Sequence, residues 1–231
     1  VARILPNNSY IKGGSFQPYY GIRIDDHTAY TRGGDFALLF INGARQGLIY
    51  DPLYTEAGVE LGVYVSNLIF FTSSVGTNLY NRTLTKDPSY TARLEITPSI
   101  GKVGLLLGGS YAKADAPRNT NFYGGFAGIG YDRFSLLGEF DRANDLRAPG
   151  LKSNVYMAQA SYVIFVGLEA LVRYDRFDPN INVSDDDISH LIVGFEFIPY
   201  SFIEIRPQYR FILEHPSVDN DAIVIQMHFW Y

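Results

Sequence analysis

The 231-residue chain contains no cysteine, which excludes disulfides, thiolate metal sites and a cysteine nucleophile. Basic residues are also few, because 19 Lys and Arg stand against 24 Asp and Glu and no basic cluster occurs. A protein that neutralises phosphates needs a basic face, so a nucleic-acid partner is not expected. No apolar run reaches the roughly 18 residues of a membrane helix. Even the most apolar stretch, VIFVGLEALV, is interrupted by Glu169, which excludes a helical membrane protein.

What the chain does have is alternation of apolar and polar residues, repeated in about twelve segments of about ten residues each. In the segment SFIEIRPQYRF, for example, Glu204, Arg206 and Arg210 share one face, while the other face is mainly apolar. No stretch keeps a helical period. The pattern predicts strands over 3–15, 54–66, 68–80, 89–98, 102–113, 121–132, 133–142, 153–164, 166–177, 187–199, 201–213 and 221–231.

Alternation alone fits both a soluble sandwich and a membrane barrel, but three further features favour the barrel. Short turns alternate with longer polar connections, as in outer-membrane barrels with short periplasmic turns and longer outer loops. The predicted strands have the 9 to 11 or so residues that cross a bilayer. Tyr and Phe gather at strand ends, where aromatic girdles meet the interfaces. We therefore predict an all-β chain: one closed antiparallel transmembrane barrel of about twelve strands, in contact with outer-membrane lipids.

The end of the chain, AIVIQMHFWY, resembles the C-terminal β-signal of bacterial outer-membrane proteins. That signal ends in an aromatic residue preceded by alternating apolar residues and is read by the barrel-assembly machinery. The match predicts that the last strand pairs with the first, since unpaired backbone groups are costly in lipid. The matching positions are Ile223, Ile225, Met227, Phe229 and Tyr231.

Residues 17–52 lie between the first two predicted strands and are too long for an ordinary loop. Within one domain of 1–231, we expect this long first loop to fold into or over the lumen. It can act as a constriction, as a lid or plug, or as a docking site for a partner through the apolar patch FALLFI at 36–41.

The stretch GGSFQPYYGIRIDDHTAYTR, residues 13–32, resembles a segment of porin-like proteins, a broad group that includes phosphate-selective porins. The resemblance implies an inward-folding loop that narrows the pore. Phosphate selectivity is not expected, because the phosphate-selective members line the pore with lysines and this chain has only five Lys. The residues that the resemblance places at the constriction are Arg23, Asp25, Asp26, His27 and Arg32.

Candidate catalytic and metal sites are weak. The adjacent residues of DDH at 25–27 do not converge from separate strands as a barrel protease requires, and no serine motif accompanies the histidines. The acidic stretch 178–187 lacks EF-hand spacing and is interpreted as a solvated loop. We expect no enzyme activity, no cofactor and no metal.

The polar faces carry a mixed set of charged residues with more acids than bases. Because charged side chains on a lipid-facing wall cost about 2 to 4 kcal/mol for each basic residue at mid-membrane, these residues are expected to face water or one another. The predicted pore-lining residues are Glu56, Glu60, Arg93, Glu95, Glu139, Asp141, Glu169, Arg173, Asp175, Glu196, Glu204, Arg206 and Arg210.

This pattern predicts an outer-membrane, porin-like channel for passive diffusion of small hydrophilic solutes or ions. The alternative is a closed barrel that anchors a cell-envelope protein complex, and a homo-oligomer is compatible with either. A soluble sandwich or lectin-like protein is the third reading. It would be freely soluble without detergent, whereas a barrel would need detergent and would migrate differently on a gel when unheated.

Overall fold

The computed structural model describes residues 1–2, 5–22, 55–77, 88–115, 119–146 and 148–230. They form a short 3-10 helix, Pro6–Asn8, and thirteen strands. The strands are β1 Tyr10–Phe16, β2 Glu56–Ser66, β3 Ile69–Gly76, β4 Ser89–Ile96, β5 Ser99–Ile100, β6 Val103–Asp115, β7 Asn119–Tyr131, β8 Phe134–Asn144, β9 Lys152–Phe165, β10 Leu168–Asp178, β11 Ile188–Tyr200, β12 Ile203–Glu214 and β13 Ala222–Phe229.

All the strands belong to one antiparallel sheet in which each long strand pairs with the next one along the chain. The two-residue strand β5 pairs only with β6 and was not predicted. The other twelve strands correspond to the twelve alternating segments of the sequence. The prediction of an all-β, antiparallel fold is confirmed.

The first predicted strand, 3–15, is wrong at its start, because β1 begins only at Tyr10. Pro6 opens the 3-10 helix, and Asn7 and Asn8 adopt positive φ, so the chain turns back at this point. Ala2 then forms an antiparallel bridge with Ile11 on the edge of β1 that does not face β2. Among the described residues no pair joins β13 to β1, so closure and strand number stay predictions.

The alternation of short and long connections is largely as predicted. Two-residue turns join β2 to β3, β7 to β8, β9 to β10 and β11 to β12. They lie at 67–68, 132–133, 166–167 and 201–202. Gly167 adopts a φ of 91° in one of these turns, a conformation that glycine allows without steric cost. The connection expected near 114–120 is shorter than predicted, because β6 and β7 extend until only 116–118 separate them.

The sheet buries its polar face and exposes its apolar face. Charged side chains such as Glu60 and Arg210 are each 1% exposed, whereas Val172 and Phe195 are 46% and 45% exposed. A single-layer sheet shields one face in this way when it curves around that face, so we call the buried face the inner face. Within the described ranges, no helix is long and apolar enough to cross a membrane.

Candidate functional site: the charged inner face

The strand period places all thirteen predicted pore-lining residues on the inner face. Ten are buried: Glu56, Glu60, Arg93, Glu139, Asp141, Arg173, Asp175, Glu204, Arg206 and Arg210. The other three, Glu95, Glu169 and Glu196, are half-buried. Each lies an even number of positions from a buried residue of its own strand and therefore on the same face. The structure therefore brings the predicted set together on one surface, while its role as the lining of a pore stays a prediction.

Charges on this face are paired along single strands, two residues apart. The Arg173 guanidinium donates to Asp175 at 2.6 Å in β10, and the Arg206 guanidinium lies 2.8 Å from the Glu204 carboxylate in β12. Successive residues point to opposite faces of a strand, so side chains at i and i+2 are neighbours on the same face. Each arginine therefore finds an acceptor on the wall itself.

A charged cluster lies on strands β10 to β13, at the end of these strands where the two-residue turns 166–167 and 201–202 lie. The Arg206 guanidinium also contacts Glu196 at 3.0 Å, and His228 Nδ1 lies 2.6 Å from Glu204 Oε2. Register places Glu169 opposite Glu196 on the neighbouring strand. Three carboxylates thus converge near one guanidinium and one imidazole, which gives this end of the inner face an acidic character.

Residues 17–22, which we call the strap, follow β1 and lie against the inner face of β4, β6 and β8. Ile22 N–H donates to Glu139 Oε2 at 3.1 Å, and the Tyr20 hydroxyl donates to Asp141 Oδ1 at 3.0 Å. The Gly21 N–H donates to the Ser110 hydroxyl at 2.9 Å. Two of the predicted wall carboxylates therefore hold backbone and tyrosine donors of the strap.

Arg93 fixes the strap from the opposite direction. Its Nε donates to the Gly21 carbonyl oxygen at 2.8 Å, and its NH2 group lies 2.5 Å from Glu95. The guanidinium also sits over the Phe126 ring, 4.6 Å from the centroid. One buried arginine thus joins the strap, a wall carboxylate and an apolar cluster.

Apolar contacts complete the seat of the strap. The Tyr20 ring is 2% exposed and packs in an inner cluster with Ala112, Phe122, Ala143, Val155 and Phe177. Ile22 packs with Phe126 and Met157 in a second cluster. These clusters lie on the inner face of the sheet, so buried apolar side chains cover this part of it.

Gly21 lies at the point where the strap contacts the inner face, and the alternating pattern of the sequence does not predict this contact. Its φ of +59° favours glycine, and a Cβ built there would lie only 1.6 Å from Glu139 Oε1. The sequence signal is a glycine that follows two tyrosines in QPYYGI, just after the first strand. Alternation cannot show the contact, because Glu139 lies 118 positions away along the chain.

The five predicted constriction residues, Arg23, Asp25, Asp26, His27 and Arg32, lie outside the described residues, as does Tyr231. The structure shows only that the start of the loop 17–52 lies on the inner face. The other positions of the predicted assembly signal share one exposed face of β13, from 53% to 75% exposed: Ile223, Ile225, Met227 and Phe229. Their recognition by assembly machinery stays a prediction.

No metal-type cluster of three or more His, Asp or Glu side chains occurs in the described ranges. In the acidic loop 178–187, Asp187 Oδ2 lies 2.9 Å from Arg176 Nε at the rim. His190 is fully buried on the inner face of β11.

No family model and no curated protein matches the chain. Among solved structures, it is similar to OccK5 (OpdH) of Pseudomonas aeruginosa, at 13% identity over 96% of this chain and 78% of that chain, with a TM-score of 0.48. It is also similar to the outer membrane protein OpdK of that organism, at 12% identity over 95% and 74%, with a TM-score of 0.45. OccK2 (OpdF) in complex with glucuronate gives 12% identity over 97% and 79%, with a TM-score of 0.44.

With TM-scores from 0.44 to 0.48 and identities of 12% to 14%, this similarity carries no argument about the location or the role of this chain. The role and the solute are therefore argued from the chain's own residues.

Proposed function

We propose that this chain is an outer-membrane channel for passive diffusion of small hydrophilic solutes or ions. The observation that carries the proposal is the inverted distribution of side chains. Ten charged residues are buried on the inner face, while large apolar residues cover the outer face. In water such an arrangement would be unstable, because it exposes apolar area and desolvates charge. In a bilayer it places apolar side chains in lipid and keeps the charged side chains in the interior, away from lipid.

Exposed aromatic side chains support the orientation in a membrane. Tyr131, Phe134, Tyr162 and Tyr200 lie near the short turns and are 44% to 63% exposed. Tyr90, Tyr111 and Tyr174 lie toward the other ends of their strands and are 38% to 46% exposed. Two such bands fit the two interfaces of a bilayer, where aromatic rings are favoured. We infer that the sheet closes between β13 and β1, because open edges are not viable in lipid.

The inner wall favours weak cation selectivity. Among the thirteen predicted wall residues, nine are acidic and four are arginines. The strap occupies one side of the interior, where it lies against β4, β6 and β8. An acidic wall attracts cations and repels anions over about one Debye length.

Conductance of the purified protein in planar lipid bilayers tests the proposal. Wild-type protein should give unitary current steps with a reversal potential that favours potassium over chloride. Folding is checked on the same sample by the gel shift between unheated and heated protein. Folded protein that gives no unitary current would contradict a channel. A closed anchor for an envelope complex would then be favoured, since the strap already fills part of the interior.

Deletion of residues 17–52 tests whether the strap narrows the path. If it does, the unitary conductance of the deletion variant should rise severalfold, because the aqueous cross-section increases. If the deletion variant folds but keeps the wild-type conductance, residues 17–52 do not narrow the path.

A further inference from the structure

A cavity of about 660 Å³ lies at the turn end of the inner face, beside β1 and the β2–β3 turn. It is lined on one side by Tyr10, Lys12 and Tyr64 of the wall and on another by Tyr19 of the strap. The size falls within the roughly 300 to 1,000 Å³ of ligand-binding pockets. A solute that moves through the interior beside the strap would meet this cavity.

The charge that Lys12 brings to the cavity is already neutralised. Lys12 Nζ lies 2.7 Å from Glu60 Oε1, and the Tyr10 hydroxyl donates to the same oxygen at 2.8 Å. Glu60 is 1% exposed, so its carboxylate would be costly to leave without the ammonium. The ammonium also sits 4.3 Å from the Phe16 ring centroid. An anion would have to compete with all these contacts, which disfavours acidic solutes here.

Two tyrosine rings of the cavity are held in place. Tyr64 stacks on Phe70 with 4.2 Å between centroids and 24° between planes, and Tyr19 meets Phe70 edge-on at 6.3 Å. Because the same phenylalanine supports both rings, their faces are fixed before a solute arrives. Rigid aromatic faces bind apolar ring surfaces with little loss of side-chain entropy.

Three asparagines place amide groups at the wall of the cavity. Asn7, Asn8 and Asn67 line the cavity. Asn7 and Asn8 adopt φ values of 55° and 61°, a left-handed conformation that asparagine tolerates better than most residues but that still costs free energy. Each amide offers two donors and an acceptor, which matches neighbouring hydroxyl groups that donate and accept.

We infer that this cavity is a binding subsite for a neutral, hydroxyl-bearing ring, namely a mono- or disaccharide. Tyrosine faces contact the C–H surface of the sugar ring, the asparagine amides bond its hydroxyls, and the paired Lys12 and Glu60 present no net charge. The inference adds a solute class to the proposed channel function. It rests on that function, because the channel is the route by which the solute reaches the cavity. Binding itself is measurable without any current.

Calorimetric titration of the detergent-folded protein with maltose, and with glucuronate as an anionic comparison, tests the subsite. Wild type should bind maltose, and glucuronate more weakly. Tyr64→Ala should weaken maltose binding about tenfold, while Tyr64→Phe should stay within about twofold because the ring remains. Asn67→Ala should weaken it about three- to tenfold. Tyr131→Ala removes a tyrosine at another turn that does not line the cavity and is the matched control.

The subsite is overturned if folded wild type does not bind maltose, if glucuronate binds more tightly, or if Tyr64→Ala and Tyr131→Ala bind alike. Heat-shifted migration shows that each variant is folded, and Asn67→Ala provides a second test if Tyr64→Ala does not fold. Maltose binding with this variant pattern but without bilayer current would support the subsite and contradict the channel. Bilayer current without maltose binding would support the channel and contradict the subsite.

Discussion

The two sides of the interior solve the problem of buried charge differently. On the strap side, from β4 to β9, wall carboxylates bind donors brought from far along the chain, as Asp141 binds Tyr20. On the charged side, from β10 to β13, arginines pair with residues two positions away on their own strand, as Arg173 pairs with Asp175. The first kind of pairing ties a distant segment of the chain to the wall, whereas the second satisfies charge within a single strand.

The difference separates a part of the inner face that the strap contacts from a part where arginines pair along their own strands. On the charged side, Arg173 and Arg206 each have a carboxylate acceptor two residues away on the same strand. The seat of the strap, in contrast, depends on one arginine, one glycine and the two inner apolar clusters. We therefore expect substitutions to affect the two sides unequally, and three predictions follow this contrast from the largest effect to the smallest.

The largest effect is expected from Arg93→Leu on the strap side. The change removes the bond to the Gly21 carbonyl, the ion pair with Glu95 and the contact with the Phe126 ring. Removing one partner of a fully buried pair costs about 3 to 5 kcal/mol, and because Glu95 is only half-buried we expect about 2 to 4 kcal/mol here. The free energy of unfolding in lipid vesicles, measured by urea titration, should fall by about that amount. Lys102→Leu, at an exposed turn, is the control and should change stability by less than about 0.5 kcal/mol.

An equal loss in both variants would mean that Arg93 contributes no more than a surface cation. The strap would then not be held by specific contacts of Arg93, and the contrast with the charged side would be wrong.

An intermediate effect is expected from Gly21→Ala. The new Cβ would overlap Glu139 Oε1, and moving that carboxylate breaks its bond to Ile22 N–H. Strain at positive φ adds about 1 kcal/mol, and the lost bond about 1 to 2 kcal/mol more. The strap should detach, raising the unitary conductance toward that of the 17–52 deletion, with the barrel still folded.

Gly101→Ala is matched to this variant in backbone conformation. Its φ of +61° is nearly that of Gly21, but nothing lies within 4 Å of the added Cβ. It should therefore share the backbone strain while leaving conductance unchanged. If both alanine variants raise the conductance equally, the overlap with Glu139 is not what holds the strap in place.

The sequence predicted the wall well because alternation encodes which side of each strand faces lipid. All thirteen pore-lining candidates lie on the inner face, and in the described residues the main departures from the prediction are β5, the start of β1 and the β6–β7 connection. The start of β1 failed because alternation in 3–9 gives no weight to Pro6 and the two asparagines that follow it. The seat of the strap could not be predicted, since the contact of Gly21 with Glu139 depends on three-dimensional proximity.

The smallest effect is expected from Arg176→Gln at the rim of the charged side. Arg176 pairs with Asp187 at 2.9 Å, but the two side chains are 42% and 24% exposed. Water and salt weaken such a pair, so its loss should cost at most about 1 kcal/mol. The cost should shrink further at 1 M salt, where the Debye length is about 3 Å. A loss comparable to that of Arg93→Leu, unchanged by salt, would show that the rim behaves like the interior. Arg93→Leu also removes a backbone hydrogen bond and a ring contact, so its larger loss combines the effect of burial with the loss of those two contacts.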